Sequence, residues 1–61
     1  MDIKKLRVIR KGLGLSLGYV SDKSGVDKGA LSLIENGKGN PTIKTLEKIV
    51  LVLGVRIEIL L

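Results

Sequence analysis

Apolar residues recur three and four positions apart in four successive stretches of the chain, which predicts four amphipathic helices. The predicted helices cover about residues 2–11, 17–24, 28–35 and 43–53. Their inward residues are expected to be Ile3, Leu6, Ile9 and Leu13; Leu17, Val20 and Ser21; Val26, Ala30, Leu31 and Ile34; and Ile43, Leu46, Ile49, Val50 and Leu53. The candidate N-caps are Asp2, Ser16, Asp27 and Thr42.

The second and third helices are separated by a turn of only about four residues, so they must cross steeply. Gly25 lies in this turn and is the one residue there that freely accepts a positive φ. Ser21 is small at the point where the third helix must approach the second. The segment of about residues 17–36 is therefore predicted to be a helix-turn-helix.

The last seven residues change period. Apolar and other residues alternate from Val55 to Leu61, and the β-branched side chains favour a strand. A lone strand has no partner in a four-helix chain, so we predict that residues 55–61 pair with the same strand of a second copy. The predicted dimer interface consists of Leu51, Val55, Ile57, Ile59 and Leu61.

Length and composition limit the function classes. Sixty-one residues make one domain, residues 1–61, with a small core. The chain has no histidine and no cysteine, and its carboxylates form no convincing acid–base pair, so neither a metal site, a cofactor nor an enzyme activity is expected. The apolar C-terminal run is too short for a membrane span. The charged N-terminus does not resemble a signal peptide, and we expect a cytoplasmic, nucleoid-associated protein.

The net charge of +5 points towards a polyanionic partner. Part of this charge lies on the first helix, which carries Lys4, Lys5, Arg7 and Lys11. We interpret these four as a solvated face first, with direct contact to nucleic acid as the alternative.

Several segments together resemble one family over about Leu6 to Leu60. They are LRVIRKGLGLS, the small residue at Ser21, Gly25, Leu31 with Ile34, IENGKGNPT, TLEKI and LGV. In this order and spacing they resemble the lambda-repressor-like (XRE/Cro) family of DNA-binding domains. The resemblance implies an all-α bundle of four or five helices whose third helix reads the major groove. The predicted C-terminal strand after LGV is similar to that of the HipB-like antitoxins, in which such strands pair across a dimer.

The resemblance also implies roles for individual residues. Base-reading positions on the recognition helix would be Asp27, Lys28, Gly29, Ser32 and Leu33, and phosphate-binding positions would be Ser16, Leu17, Asn36, Gly37 and Lys38. Arg10 and Glu35 match an internal ion pair of the family, which gives them a structural role. The chain departs from the family at Leu17, where a glutamine is usual, and at Ser21 and Ser24, where alanine and leucine are usual.

Three hypotheses follow. The leading one is a dimeric transcriptional repressor that binds double-stranded DNA at a pseudo-palindromic operator. The second is a HipB-like antitoxin that uses Leu51, Val52 and Leu60 to bind a toxin protein and autoregulates its operon. The third is a helix-turn-helix scaffold that has lost DNA binding, which Leu17 and Gly29 would favour.

Overall fold

The computed structural model describes residues 1–61 as four α-helices followed by a short 3-10 helix. The α-helices are α1 (Lys5–Gly12), α2 (Leu17–Ser24), α3 (Lys28–Glu35) and α4 (Ile43–Leu53), and the 3-10 helix is Ile57–Leu60. The molecule measures 23 × 20 × 18 Å. None of the helices combines the length and the hydropathy that a membrane span requires.

Side-chain caps determine where three of the helices begin. Ser16 accepts a hydrogen bond from the Tyr19 amide, Asp27 from Ala30, and Thr42 from Thr45. Each bond satisfies one of the amide groups that a helix leaves unpaired at its N-terminus. These three predicted caps are confirmed.

Glycines in the left-handed region end two helices. Gly25 follows α2 with φ 76° and Gly54 follows α4 with φ 73°, a conformation that other residues adopt only at a cost. Both predicted helix ends are therefore confirmed.

The core is aliphatic and lies where α4 packs against the other helices. Nine buried side chains form it, namely Leu6, Val20, Leu31, Ile34, Leu46, Ile49, Val50, Leu53 and Leu60. Four of them come from α4, which contacts α1, α2 and the 3-10 helix. The predicted inward faces of α2 and α4 are largely correct.

Several predicted inward positions are wrong. Leu13 is 53% exposed because α1 ends at Gly12, so Leu13 no longer shares the helical period. Ile43 is 54% exposed at the first turn of α4, and Ala30 also lies on the surface. The apolar stripes of α3 and α4 are therefore narrower than the sequence pattern indicated.

The beginning of α1 also differs from the prediction. The helix starts at Lys5, and its N-cap residue, Lys4, makes no capping side-chain bond. Asp2 is not the side-chain cap. Its backbone amide donates to the carbonyl of Leu60, which joins the two ends of the chain.

The predicted C-terminal strand is wrong. Residues 57–60 form a 3-10 helix, in which the amides of Ile59 and Leu61 donate to Arg56 and Glu58 at 3.0 and 3.1 Å. The alternating pattern assigned Leu61 to the apolar face and Leu60 to the other one. The structure reverses this, because Leu60 is fully buried and Leu61 is 75% exposed.

A physical reason for the difference is that a single strand has no backbone partner within this chain. The 3-10 helix satisfies part of its backbone locally and directs Leu60 into the core. The similarity to HipB-like antitoxins depended on that strand, and it is not found here. Leu60, one of three residues assigned to toxin binding, is inaccessible.

Candidate nucleic-acid interface

The helix-turn-helix is the central feature of the candidate interface. The turn between α2 and α3 contains Gly25, and Ser21 donates its hydroxyl to the carbonyl of Val26 at 2.6 Å. The Val26 amide in turn donates to the Ser24 hydroxyl at 3.2 Å. The two serines that depart from the family pattern therefore link the end of α2 to the start of α3 by hydrogen bonds.

The outer face of α3 presents most of the base-reading candidates to solvent. Asp27, Lys28 and Gly29 are exposed and Leu33 is 52% exposed, while Ser32 is half-buried. The Asp27 carboxylate is partly occupied as the cap of α3, because it accepts from Ala30 at 3.2 Å. Lys28 is consequently the one long side chain with hydrogen-bond donors on this face.

Leu33 also borders a shallow groove of about 400 Å³ between α3 and the loop that leads to α4. The apolar side of this groove is formed by Val26, Ala30, Leu33 and Ile34. Helix α3 is thus apolar along one edge. Such an edge is suited to contact with thymine methyl groups rather than with hydrogen-bonding base edges.

The N-terminus of α2 lies close to α3, because Leu17 and Ser32 line the same small recess. Ser16 uses its side chain to accept from Tyr19, and its carbonyl accepts from Val20. The amides of Leu17 and Gly18 come first in the helix and make no intrahelical bond, so they are available to an anion. Leu17 is half-buried and contributes no polar side-chain atom.

The loop after α3 differs from what phosphate binding by its backbone would require. The amides of Asn36, Gly37 and Lys38 all donate to carbonyls of the last turn of α3, with Gly37 at φ 74°. The Asn36 side chain also donates to the Ser32 carbonyl at 2.9 Å. These groups form a helix C-cap. The ammonium group of Lys38 is the charged group that the loop itself offers to a phosphate.

Arg10 and Glu35 form a buried ion pair between α1 and α3. The Arg10 Nε and Nη2 atoms donate to the two carboxylate oxygens of Glu35 at 2.8 and 2.9 Å, and Nη1 donates to the Leu15 carbonyl at 2.8 Å. The residues are only 8% and 4% exposed. The hydrogen bonds to Glu35 raise the pKa of Arg10; burial acts in the opposite direction, and the nearby negative charge adds to the increase. The pair joins three segments and holds α3 in position.

The sequence favoured a solvated face for Arg7 and Lys4 and left contact to nucleic acid as the alternative; the structure places both side chains beside the loop after α3. Arg7 lines a small polar recess together with Leu17, Ser32 and Asn36. The side chain of Lys4 lies over Gly37. Its Cε atom is so close that a Cβ atom placed on Gly37 would be 3.0 Å from it. The helical spacing of these two cations was the sequence signal for a common face.

The residues predicted to form a dimer interface lie towards the C-terminal end of the chain. Leu51 is 80% exposed, Leu61 75% and Ile59 46%, while Val55 and Ile57 are half-buried. Val55 and Ile57 pack against the core. This part of the surface therefore combines exposed apolar side chains with residues that support the fold.

Comparison with known proteins gave two kinds of match. A family model described as "Helix-turn-helix" matches residues 6–60. The HTH-type transcriptional regulators SinR of Bacillus subtilis (strain 168) and of Bacillus licheniformis are each 42% identical to the chain over 59 residues. The match covers 95% of this chain and 53% of each SinR, so the chain spans about half the length of the curated relatives it matches. No solved structure matches the chain.

Proposed function

We propose that this chain, which belongs to the XRE-type helix-turn-helix family, is a sequence-specific DNA-binding transcriptional regulator that acts as a dimeric repressor. The observation that carries the proposal is the exposed face of α3, which begins at Lys28 and is followed by the exposed Lys38 in the loop after the helix. Helix-turn-helix proteins insert this second helix into the major groove. The family is non-enzymatic, so the protein would act by occupying DNA.

Phosphate contacts and base contacts would come from different parts of this surface. The free amides at the start of α2 and the ammonium group of Lys38 would hold the DNA backbone on either side of α3. Lys28 would donate to a guanine, and Leu33 would contact a thymine methyl group. The relatives named SinR are described as transcriptional regulators, which supports the same role for this chain.

We expect the substitution Lys28→Ala to remove most of the preference for operator DNA. A good contact to a base edge contributes about 1–3 kcal/mol of discrimination, which is a factor of roughly 5–150. Fluorescence anisotropy would compare DNA from upstream of the protein's own gene with scrambled DNA of equal length, at two salt concentrations. Lys23→Ala is the matched control, because Lys23 is an exposed lysine on α2 outside the recognition face. Equal binding of the unmodified protein to both DNAs would contradict sequence-specific regulation.

The proposed regulator is a dimer, but it does not form through the paired C-terminal strands that the sequence predicted. Leu51, Ile59 and Leu61 are exposed apolar residues, and covering them in a second copy would remove their surface from water. A two-fold dimer would place two α3 helices on successive major grooves, about 34–36 Å apart. The operator would then be pseudo-palindromic.

We expect Leu51→Glu to weaken this dimer, because a carboxylate would have to be buried at the interface. Sedimentation velocity over a range of protein concentrations would show a larger monomer fraction in the variant. Ile43→Glu is the control, since Ile43 is also an exposed apolar residue of α4 but lies about 12 Å away along the helix axis. The same concentration dependence in Leu51→Glu and in the unmodified protein would exclude this interface.

A further inference from the structure

We propose that α1 and its N-cap residue supply a row of cations, Lys4, Arg7 and Lys11, that binds the phosphate backbone of duplex DNA beside the helix-turn-helix. The inference deepens the proposed function and depends on it. It assigns a binding role to a helix that the sequence patterns described mainly as a solvated support of the core.

The first observation is the position of Arg7. It borders a recess of about 170 Å³ whose other lining residues are Arg10, Leu17, Ser32, Glu35 and Asn36. The charges of Arg10 and Glu35 neutralise each other, and the side-chain amide of Asn36 donates to the Ser32 carbonyl. Arg7 is exposed and forms no ion pair, so its guanidinium is the uncompensated positive group of the recess.

The second observation is the contact between Lys4 and the loop after α3. The Lys4 side chain packs so closely over Gly37 that a Cβ at that position would lie 3.0 Å from its Cε atom. This contact places the Lys4 stem next to the loop that carries Lys38. The backbone amides of that loop are already bonded to α3, so additional side-chain cations compensate for donors that the loop cannot offer.

The third observation is that the three cations share a helix face. Residues 4, 7 and 11 are separated by three and four positions, so their side chains project from one side of α1. Lys11 is at the end of the helix that precedes Ser16 and the free amides of α2. The row therefore begins at the loop after α3 and passes the recess, which Leu17 at the start of α2 also lines.

Arg7 and Leu17 bring different side-chain chemistry to the recess. Leu17 brings no donor to the recess, whereas Arg7 reaches the same recess from α1 with a charged group. Guanidinium groups bind phosphate through two parallel hydrogen bonds. Arg7 on α1 thus supplies the phosphate donor that the side chain of Leu17 on α2 does not have.

The test is the salt dependence of binding to DNA from upstream of the protein's own gene. Each neutralised phosphate contributes a slope of about −0.9 to the plot of log K against log salt. We expect Arg7→Gln to reduce the slope by about one and Lys4→Gln with Arg7→Gln by about two. The control is Arg56→Gln, which removes the same charge from an 87% exposed side chain in the C-terminal segment. Thermal unfolding of every variant would establish that the fold is retained.

The outcomes separate the two proposals. A reduced slope in the α1 variants, together with an unchanged slope in Arg56→Gln, supports the row of cations. An unchanged slope in Arg7→Gln, with the unmodified protein still preferring upstream DNA, overturns this inference and leaves the proposed function standing. An equal reduction in all variants also overturns it, because the effect would then come from net charge. No DNA binding by the unmodified protein overturns both.

Discussion

Replacing Glu35 with alanine should destabilise the protein by about 3–5 kcal/mol, because the buried guanidinium of Arg10 would lose its partner. A domain of this length is stable by only roughly 3–9 kcal/mol, so the substitution should remove from about a third to all of that stability. Urea denaturation followed by circular dichroism measures the loss. The variant should show a much lower midpoint or no folded baseline.

The double variant Arg10→Met with Glu35→Leu is the control for this prediction. Apolar residues of similar volume often replace a buried ion pair without loss of stability, because no charge is left buried. The carbonyl of Leu15 would lose one hydrogen bond in this variant, a cost of about 1 kcal/mol. A midpoint for Glu35→Ala equal to that of the unmodified protein would show that the pair is not buried in solution.

The raised pKa of Arg10 also determines how stability depends on pH. A basic group whose pKa is higher in the folded state contributes stability that is complete below its unfolded pKa and is lost as the pH rises through its folded pKa. For an arginine this window lies at strongly alkaline pH. The contribution of the Arg10 charge should therefore be constant across neutral pH.

The second large effect is expected at the C-terminus. Leu60→Ala removes a fully buried side chain from the core, and we expect a loss of about 2–5 kcal/mol in the free energy of unfolding. Leu61→Ala, which changes the neighbouring and 75% exposed leucine, should alter stability by less than about 0.5 kcal/mol. Denaturant titrations of both variants provide the comparison.

This pair of variants distinguishes the two structures considered for the tail. A strand with the alternating face inward would make Leu61 the sensitive position and leave Leu60 tolerant. The 3-10 helix predicts the reverse order. A greater loss for Leu61→Ala would contradict the observed conformation of residues 57–60.

The elements that the sequence predicted well are those determined by local chemistry. A side-chain oxygen at Ser16, Asp27 or Thr42 satisfies an amide three residues later, whatever the rest of the chain does. Gly25 and Gly54 end helices because they accept a positive φ without strain. Such features are visible in a few consecutive residues.

The tail could not be predicted in the same way. Seven residues with alternating apolar positions are compatible with a strand, but the burial of Leu60 depends on contacts with other segments. The predicted strand needed a second chain to pair with. In the structure the 3-10 helix that contains Leu60 contacts α4, and the Leu60 carbonyl accepts a hydrogen bond from the Asp2 amide. Tertiary packing thus overrode a local preference.

The candidate interface likewise combines residues that the local pattern predicts with residues whose positions depend on tertiary packing. Exposure of Lys28, Gly29 and Leu33 follows from the period of α3 and was predictable. The positions of Arg7 and Lys4 beside the loop after α3 depend on how α1 packs against α3, which no short motif encodes.

The hydrogen bond from Asp2 to Leu60 has a kinetic meaning as well. It joins residues 58 positions apart, so it closes almost the whole chain into one loop. Closing so long a loop has a high entropic cost until the intervening helices have formed and shortened the distance between the ends. Helices of eight residues are marginal alone, so α1 to α3 need each other and α4 before they persist. The junction of the two termini should accordingly form late in folding and open early in unfolding.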